Sequence, residues 1–254
     1  MCVLSDRQVV ELFHLHFVRL LCAGPDKDRF AIKGGCNLRF FFESVRYSED
    51  IDFDVARMPV HTLKEKVGKV LRGPSLALPL KSRGISVGEV TAPKQTETTQ
   101  RWKVGLSLEA AFLPLHTKIE FSRRPTTEEA VVEPVAATVL AEYQLMPVLA
   151  PHYPLPAALR QKVGALVGRS TVQARDVFDL AVLLARAAGR VDALHPVRAR
   201  IPKAIERTME VSFGDFKAQV ASYLKPEHLD EYGTREAWEA LQAQVVDGLE
   251  KAMP

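Results

Sequence analysis

The sequence predicts an α/β (α+β) fold, in which a core of mixed strands and helices is followed by a helical half. Up to about residue 150, short apolar strand candidates alternate with helix-like segments. From about Leu155 onwards, Ala- and Leu-rich faces recur at helical spacing. Four prolines lie around this change and favour an extended connector: Pro147, Pro151, Pro154 and Pro156. We therefore predict two domains, residues 1–150 and residues 151–254.

The first half begins with a predicted helix from Ser5 to about Leu21. Serine is a favourable cap because its hydroxyl accepts a hydrogen bond from a free N–H group of the first turn. The other elements predicted in this half are a strand at 30–32, helices at 36–42 and 60–71, an acidic strand at 50–54, and strands at 85–90, 102–111 and 116–122. The polar segment 91–100 lacks apolar periodicity and is predicted to be a hairpin loop. In the second half, helices are predicted at 159–167, 172–188 and 236–253.

The composition is that of an ordinary globular protein, with 47% hydrophobic and 26% charged residues. A net charge of +3 suits a nucleotide or nucleic-acid partner without requiring one. The three cysteines have neither paired nor Cys-x-x-Cys spacing, so the sequence indicates neither a disulfide framework nor a zinc site. The first residues lack the pattern of a signal peptide, and no apolar stretch has the length of a membrane span. We therefore expect a cytoplasmic protein without a membrane partner.

The most informative segment reads K-G-G-C-N-L-R and, six residues later, R-Y-S-E-D-I-D-F-D. Because a strand points alternate side chains to one face, Asp50, Asp52 and Asp54 are predicted to share a face. Carboxylates in a row repel each other unless they are solvated or bridged by a divalent cation. Alone, these aspartates could belong to a solvated edge strand, and Gly34-Gly35 could be a plain tight turn. The order of strand, Gly-Gly, helix and acidic strand favours a cleft that a triphosphate and metal ions share.

Two further charged segments extend this hypothesis. In K-I-E-F, Glu120 alternates with apolar neighbours and is a candidate third carboxylate for a metal, although on its own it would be solvated. In the helical half, Lys162 and Arg169 lie two helical turns apart and could face one cleft. Arg175 and Asp179 have the spacing of a surface ion pair. Asp176 lies near the apolar side of the same helix, where a charge usually has a partner or a function.

The sequence resembles the AbiEii-type nucleotidyltransferase toxins, also called the MenT group, over roughly residues 30–190. The resemblance rests on four segments in the right order: K-G-G-C-N-L-R…R-Y-S-E-D-I-D-F-D, K-I-E-F, R-Q-K-V-G-A-L…R and R-D-V-F-D-L. It implies a polymerase-β-like α/β nucleotidyltransferase core with a mixed sheet, followed by a helical domain. It also implies a toxin of a toxin–antitoxin or phage-defence system, with a cognate antitoxin. Some members of the group transfer nucleotides to the 3′ end of tRNA and so block aminoacylation.

The resemblance also assigns roles to individual residues. The implied positions are Gly34 and Gly35 for the triphosphate, Asp50 and Asp52 for the metal, Ser48 as a nucleotide contact, Lys162 for a phosphate, and Asp176 as the last member of the catalytic set. Further candidates to balance the triphosphate charge are Lys33, Arg39 and Arg169. Two positions depart from the family. Cys36 replaces a small hydroxyl residue, and an exposed thiol there would be a weak phosphate donor. Gln161 replaces an acid, so no catalytic role is expected for it.

The expected reaction transfers NMP from an NTP to the 3′ end of an RNA, with tRNA as the leading acceptor. Mg²⁺ or Mn²⁺, held by Asp50, Asp52 and Glu120, would neutralise the triphosphate on Gly34-Gly35. The RNA 3′-hydroxyl would attack the α-phosphorus, and pyrophosphate would leave. The alternatives are nucleotidyl or phosphoryl transfer to a protein or small molecule, and a catalytically silent module that binds RNA or an antitoxin.

Overall fold

The computed structural model describes residues 4–109, 112–123, 126–189 and 191–253. The chain forms two compact units. The first consists of Met1–Phe41 and Tyr47–Tyr153, and the second consists of Phe42–Arg46 and Pro154–Pro254. The short segment Phe42–Arg46 thus belongs to the second unit although both its neighbours in sequence belong to the first. The assignment of functional domains to residues 1–150 and 151–254 stays a prediction.

The first unit combines a sheet with helices. Its elements are, in chain order, α1 (Asp6–Leu21), β1 (Phe30–Lys33), α2 (Gly34–Phe41), β2 (Ile51–Val55), α3 (Val60–Arg72), α4 (Pro74–Lys81), β3 (Ile85–Gln95), β4 (Thr99–Leu108), β5 (Leu115–Ser122), β6 (Val131–Pro134), α5 (Ala137–Tyr143) and β7 (Leu149–His152), with a 3-10 turn at Lys27–Arg29. Helix α1 begins as predicted. Ser5 and Gln8 form a capping box, since each side chain accepts the backbone N–H of the other residue.

The seven described strands form one mixed sheet in the order β3-β4-β5-β2-β1-β7-β6. Strand β2 lies at its centre, antiparallel to β1 and parallel to β5. The outer pairs β3–β4 and β6–β7 are antiparallel, and β1 runs parallel to β7. The mixed sheet expected from the resemblance is therefore confirmed.

Aromatic side chains form the core on one face of this sheet. Phe53 of β2 stacks on Phe121 of β5, with ring centroids 4.9 Å apart. Phe17 of α1 meets the edge of Phe53 at 6.2 Å, and all three side chains are fully buried. Burying side chains of this size contributes about 1.5–3 kcal/mol each. This packing directs the alternate side chains of β2, which are acidic, to the opposite face.

Several predicted elements differ from the structure. The predicted hairpin loop 91–100 is wrong, because most of it continues β3 and β4, with Gln95 opposite Gln100. Strand β3 is at the edge of the sheet and largely exposed, so it needs no apolar periodicity. The strand predicted at 102–111 ends at Leu108, and its residues 110 and 111 lie outside the described residues. Helices α4 and α5 and strands β6 and β7 were not predicted, and β7 occupies part of the expected proline-rich connector.

The described elements of the second unit are helices. They are α6 (Leu155–Gly168), α7 (Ala174–Ala187), α8 (Ile201–Met209), α9 (Phe213–Gln219), α10 (Pro226–Tyr232) and α11 (Arg235–Glu250), with 3-10 segments at Val191–Arg200 and Ala221–Tyr223. Phe216 of α9 stacks on Trp238 of α11 at 4.8 Å and lies beside Phe178 of α7. The three helices predicted from apolar periodicity correspond to α6, α7 and α11. In the described parts of both units, no helix is long and apolar enough to cross a bilayer.

A buried polar chain connects α1 with the segment before β2. The Thr117 hydroxyl of β5 donates to the Glu49 carbonyl at 2.7 Å, and His14 Nε2 lies 2.7 Å from the same hydroxyl oxygen. Because the hydroxyl proton is used by Glu49, Thr117 accepts from His14, which assigns the ring proton to Nε2. The Cys36 sulfur lies 3.7 Å from His14 Nδ1. Complete burial lowers the pKa of His14 from 6.5 to about 3, so the ring is neutral at pH 7.

This shift makes stability depend on pH. Between pH 6.5 and 3 His14 is protonated in the unfolded chain but not in the folded chain. The stabilisation of the folded state by neutral His14 is therefore complete above pH 6.5 and is lost as the pH falls towards 3. From pH 7 to pH 5, wild type is expected to lose about 2 kcal/mol more than His14→Gln in urea unfolding. The control His61→Gln, at an exposed position, is expected to keep the wild-type pH dependence. Equal pH slopes for wild type and His14→Gln would contradict this assignment.

Candidate active site

Gly34 occupies the turn where β1 passes directly into α2. Its φ of +66° lies in the left-handed region, which favours glycine. A Cβ at this position would lie 3.0 Å from Asp52 Oδ2, so a side chain would also crowd that carboxylate. The free N–H groups and the positive end of the helix dipole lie at this first turn of α2. The structure therefore places an anion-attracting helix start beside the central acidic strand.

Asp52 is flanked on both sides by charged residues of the neighbouring strands. It lies opposite Lys33 of β1 and next to Glu120 of β5. Burial raises the pKa of Asp52, and the negative charges of Glu120 and Asp50 raise it further, while Lys33 opposes the shift. Within the described residues, no cationic side chain forms an ion pair with Asp52. This carboxylate therefore lacks a direct counter-charge of its own.

Asp50 does not belong to the acidic strand, which corrects the prediction of three carboxylates at alternate strand positions. Strand β2 begins at Ile51, and Asp50 lies just before it. Its carboxylate turns towards β5, where Oδ1 accepts the backbone N–H of Lys118 at 3.0 Å and Oδ2 lies 2.7 Å from Lys118 Nζ. The strand begins one residue later than predicted, because Asp50 contacts β5 through its side chain in place of ladder hydrogen bonds.

The backbone of Asp50 is held by two residues of the glycine and acidic segments. Its carbonyl accepts the Ser48 hydroxyl at 2.8 Å and the Cys36 thiol at 3.4 Å. Ser48, a predicted nucleotide contact, thus positions Asp50. Cys36 is buried at 1% exposure, and burial raises the pKa of its thiol well above the ordinary value. The expected exposed thiol beside a phosphate is therefore wrong, and Cys36 acts in the packing beneath the site.

The other charges on this face form ion pairs. Glu120 Oε2 lies 2.6 Å from Arg101 of β4, and Lys33 Nζ lies 2.5 Å from Asp54 Oδ1. The Tyr153 hydroxyl donates to the second oxygen of Asp54 at 2.7 Å. Asp54 is therefore fully engaged, and Lys33, a predicted triphosphate contact, neutralises the acidic strand.

Arg39 is the site prediction that the geometry disfavours most. It is buried at 6% exposure, and its guanidinium donates to both carboxylate oxygens of Glu11 at 2.7 and 3.0 Å. It also donates to Glu142 at 3.0 Å and lies 4.8 Å from the ring centre of Tyr47. Burial alone would lower the pKa of Arg39, but Glu11 outweighs it and raises the pKa. Arg39 therefore stabilises the core, and we leave it out of the proposed nucleotide site.

The donor set on this face suits a hard divalent cation. Asp50, Asp52 and Glu120 supply carboxylate oxygens, the ligands that Mg²⁺ and Mn²⁺ prefer. The raised pKa of Asp52 is the expected sign of a buried carboxylate among other acids and without an ion-pair partner of its own. Among the described residues, however, no three or more His, Cys, Asp or Glu side chains already converge as metal ligands. The chemistry of the residues fits a metal, whereas two of the three carboxylates are paired with basic side chains.

In the second unit, the predicted residues form a buried ion network. Lys162 Nζ lies 3.2 Å from Asp176 Oδ1 and 2.6 Å from Asp179 Oδ2. Arg169 binds Asp176 at 2.6 Å, and Arg46 binds both oxygens of Asp179 at 3.0 Å. Both carboxylates are completely buried. Burial alone would raise the pKa of Asp179, but Arg46 and Lys162 outweigh it and hold the pKa below its ordinary value.

Two members of this network were not found from the sequence. Asp179 was expected to pair with Arg175 on the helix surface, but it points into the unit and binds Lys162 and Arg46. Arg46 is 133 residues away from Asp179 in the chain, and no local spacing rule connects them. The available signal was the position of Asp179 beside the apolar residues of α7, which predicts a buried charge in need of partners.

Comparisons with known proteins bear on the family and the fold of the chain. Residues 18–253 match the model of a family described as nucleotidyl transferase AbiEii toxin, type IV toxin–antitoxin system. JHP933 from Helicobacter pylori has a similar structure, with a TM-score of 0.64, 18% identity, and coverage of 98% of this chain and 96% of that one. MenT4, a nucleotidyltransferase toxin from Mycobacterium tuberculosis H37Rv, also has a TM-score of 0.64 and 18% identity, with 97% and 84% covered. At this identity the two structures show a common fold. No curated protein matches the sequence.

Substitution of Gly34 should disturb both the backbone and Asp52. Gly34→Ala is expected to lower the free energy of unfolding by about 1–3 kcal/mol, because alanine is strained at positive φ and its Cβ crowds the carboxylate. Urea unfolding measures this difference. The matched control is Gly88→Ala in β3, where an added Cβ finds ordinary contacts of 3.4 and 3.5 Å. If both variants have the same stability, Gly34 is not constrained as described.

The ion network of the second unit should be sensitive to loss of one member. Asp179→Ala is expected to cost about 3–5 kcal/mol in unfolding free energy, because Arg46 and Lys162 lose a buried partner. Asp247→Ala, which breaks an exposed i,i+4 pair with Lys251 in the same unit, should cost less than about 1 kcal/mol. Comparable losses in the two variants would show that the buried network contributes no special stability.

Proposed function

The chain belongs to the AbiEii nucleotidyl transferase toxin family of type IV toxin–antitoxin systems, and from this premise we propose that it transfers NMP from an NTP to the 3′ end of an RNA. Membership makes the chain a nucleotidyltransferase with a cognate antitoxin, and enzymes of this family generally use a divalent metal. We propose tRNA as the acceptor, so that the modified 3′ end can no longer be aminoacylated. We also propose a cytoplasmic location, where NTPs and tRNA are both present.

The observation that carries this proposal is the closeness of the start of α2 to the acidic strand. A Cβ added at Gly34 would lie 3.0 Å from Asp52 Oδ2, so the first turn of α2 and the Asp52 carboxylate are close neighbours. N–H groups at a helix start attract phosphate, and carboxylates attract metal ions. A metal-bound nucleoside triphosphate needs both kinds of group side by side, and neither a neutral ligand nor a bare phosphate does.

The proposed reaction uses the residues of this face in separate roles. The N–H groups at Gly34 and Gly35 bind triphosphate oxygens, and Asp50, Asp52 and Glu120 are the residues that would hold Mg²⁺ or Mn²⁺. When bound, the metal supplies positive charge that neutralises the triphosphate. The RNA 3′-hydroxyl forms a bond to the α-phosphorus, its proton passes to Glu120, and the bond to pyrophosphate breaks.

The roles of Lys162, Arg169 and Asp176 rest on the family resemblance and stay predictions. In the structure, Lys162 and Arg169 both neutralise Asp176. Family membership supports a phosphate contact for Lys162 and a catalytic role for Asp176. The buried ion network offers the alternative that Lys162 only stabilises its unit, and urea unfolding of Lys162→Ala separates these roles. If Lys162→Ala loses activity but keeps the wild-type free energy of unfolding, the result supports a phosphate contact. If it loses activity and stability together, the result supports a purely structural role.

The transfer itself can be tested with purified protein, tRNA and each α-labelled NTP. Asp52→Asn is expected to reduce label incorporation at least about a hundredfold, since it removes the charge of the central carboxylate. The control Asp28→Asn makes the same change at an exposed site and should leave incorporation unchanged. Wild-type activity in Asp52→Asn would overturn the proposed site.

The same assay distinguishes the rival acceptors and chemistries. Label offered on the α-phosphate reports nucleotidyl transfer, whereas label offered on the γ-phosphate reports phosphoryl transfer. Protein extract and small-molecule acceptors are supplied in parallel with tRNA. Incorporation into protein alone would replace the RNA proposal with a protein-modifying activity, and no incorporation from any NTP would favour a binding module.

A further inference from the structure

Lys118 of β5 forms an unusual double contact with Asp50. Its ammonium lies 2.7 Å from Asp50 Oδ2, and its backbone N–H donates to Oδ1 at 3.0 Å. One residue thus occupies both oxygens of a carboxylate that the proposed function assigns to a metal. The two contacts differ in kind, because the backbone bond is fixed by the sheet whereas the ammonium is on a flexible side chain.

The ammonium contact is accessible and easily replaced. The side chains of Lys118 and Asp50 are 43% and 22% exposed, so an ion can approach the pair from solvent. Ion pairs at such exposure contribute only about 0–1 kcal/mol. A divalent cation brings twice the charge of an ammonium and binds carboxylate oxygen strongly. If the ammonium leaves, the backbone N–H of Lys118 still holds the orientation of Asp50.

The other ion pairs of this face are less suited to exchange. Arg101 contacts Glu120 Oε2 through both Nε and a terminal nitrogen, at 2.7 and 2.6 Å, so two contacts must break there where one ammonium contact breaks at Asp50. Lys33 shares Asp54 with the buried Tyr153, whose hydroxyl binds the second oxygen. Lys118 is therefore the cation whose departure costs least.

We propose that Lys118 is an internal counter-ion of Asp50 that a divalent cation displaces, and that the released ammonium then binds a phosphate of the nucleotide. This inference rests on the proposed metal site. Lys118 and Glu120 are two residues apart on one strand, about 7 Å, and point to the same face. The ammonium thus stays beside the carboxylates after it leaves Asp50, and the positive charge that protected Asp50 becomes available to the triphosphate.

Direct metal binding tests the exchange without any reaction. Free Mn²⁺ is measured by electron paramagnetic resonance with the full chain, without nucleotide, at 0.15 M salt. Lys118→Met is expected to bind Mn²⁺ about two- to fivefold more tightly than wild type, because the competing ammonium is gone. A gain in affinity cannot arise from misfolding. Lys118→Arg, which keeps the charge, should show no such gain, and Lys118→Met should also raise KM for the NTP.

Lys103→Met is the matched control. Lys103 is directly opposite Lys118 on β4, shares its face and is exposed, so this variant removes the same charge without touching Asp50. Equal gains in Mn²⁺ affinity in the two methionine variants would show that the gain comes from the lower net positive charge of this face, and would overturn the inference. Unchanged or weaker Mn²⁺ binding by Lys118→Met would also overturn it.

The outcomes separate this inference from the proposed function. If Asp52→Asn loses Mn²⁺ binding while Lys118→Met binds as wild type does, only the counter-ion role fails. If wild type itself binds no Mn²⁺, the metal site fails and the counter-ion role fails with it.

Discussion

Apolar and acidic residues alternate along β2, and this alternation assigns the two kinds of side chain to opposite faces of the sheet. Its odd-numbered residues pack in the aromatic core, where Phe53 stacks on Phe121 and meets Phe17 edge-on. The intervening Asp52 and Asp54 must then face the other way, since a shift of one residue would bury two carboxylates and expose three apolar side chains. The hydrophobic effect thus fixes the direction of the acidic groups, and the chemistry of the site depends on the packing of the core.

Charge balance is the second constraint on the molecule. In both units, carboxylates are placed where desolvation is unfavourable, and basic side chains compensate for most of them. Asp179 is completely buried yet keeps a low pKa because Arg46 and Lys162 both contact it. Asp52 is different, because its nearest charged neighbours include two other acids and its pKa is raised. The neighbouring Asp50, Asp54 and Glu120 have basic partners, so Asp52 is the place on this face where an external cation gains the most.

The fold was readable from the sequence where the signals are local. Ser5 and the apolar spacing behind it gave α1, and the alternation of acidic and apolar residues gave the central strand. Strand β6 and the extension of β3 were not readable, because these edge strands are largely exposed and lack an apolar period of two. Strand β7 lies inside the sheet, but it has only 4 residues and contains Pro151, so no strand pattern marks it. The candidate site followed the same rule. The closeness of Gly34 and Asp52 could be inferred from element order, whereas the lysine of β5 that binds Asp50 depends on strand pairing across 68 residues.

The position of Asp50 also depends on the buried polar chain from His14 through Thr117 to Glu49. It fixes the backbone just before β2, where the Ser48 and Cys36 side chains also bind the Asp50 carbonyl. Asp50 is therefore positioned by three separate elements, α1, α2 and β5. The order of the acidic side chains at the candidate site therefore depends on the buried polar groups beneath them.

The membership of Phe42–Arg46 in the second unit limits how this protein can be divided. A fragment that begins at Pro154 would contain α7 but lack Arg46, and Asp179 would lose one of its two cationic partners. A fragment that ends at Tyr153 would carry Arg46 without the Asp179 carboxylate that it binds. The two units are thus interleaved in the chain, so gene fusion, truncation or exchange of the helical part at a single junction would cut through a buried ion network.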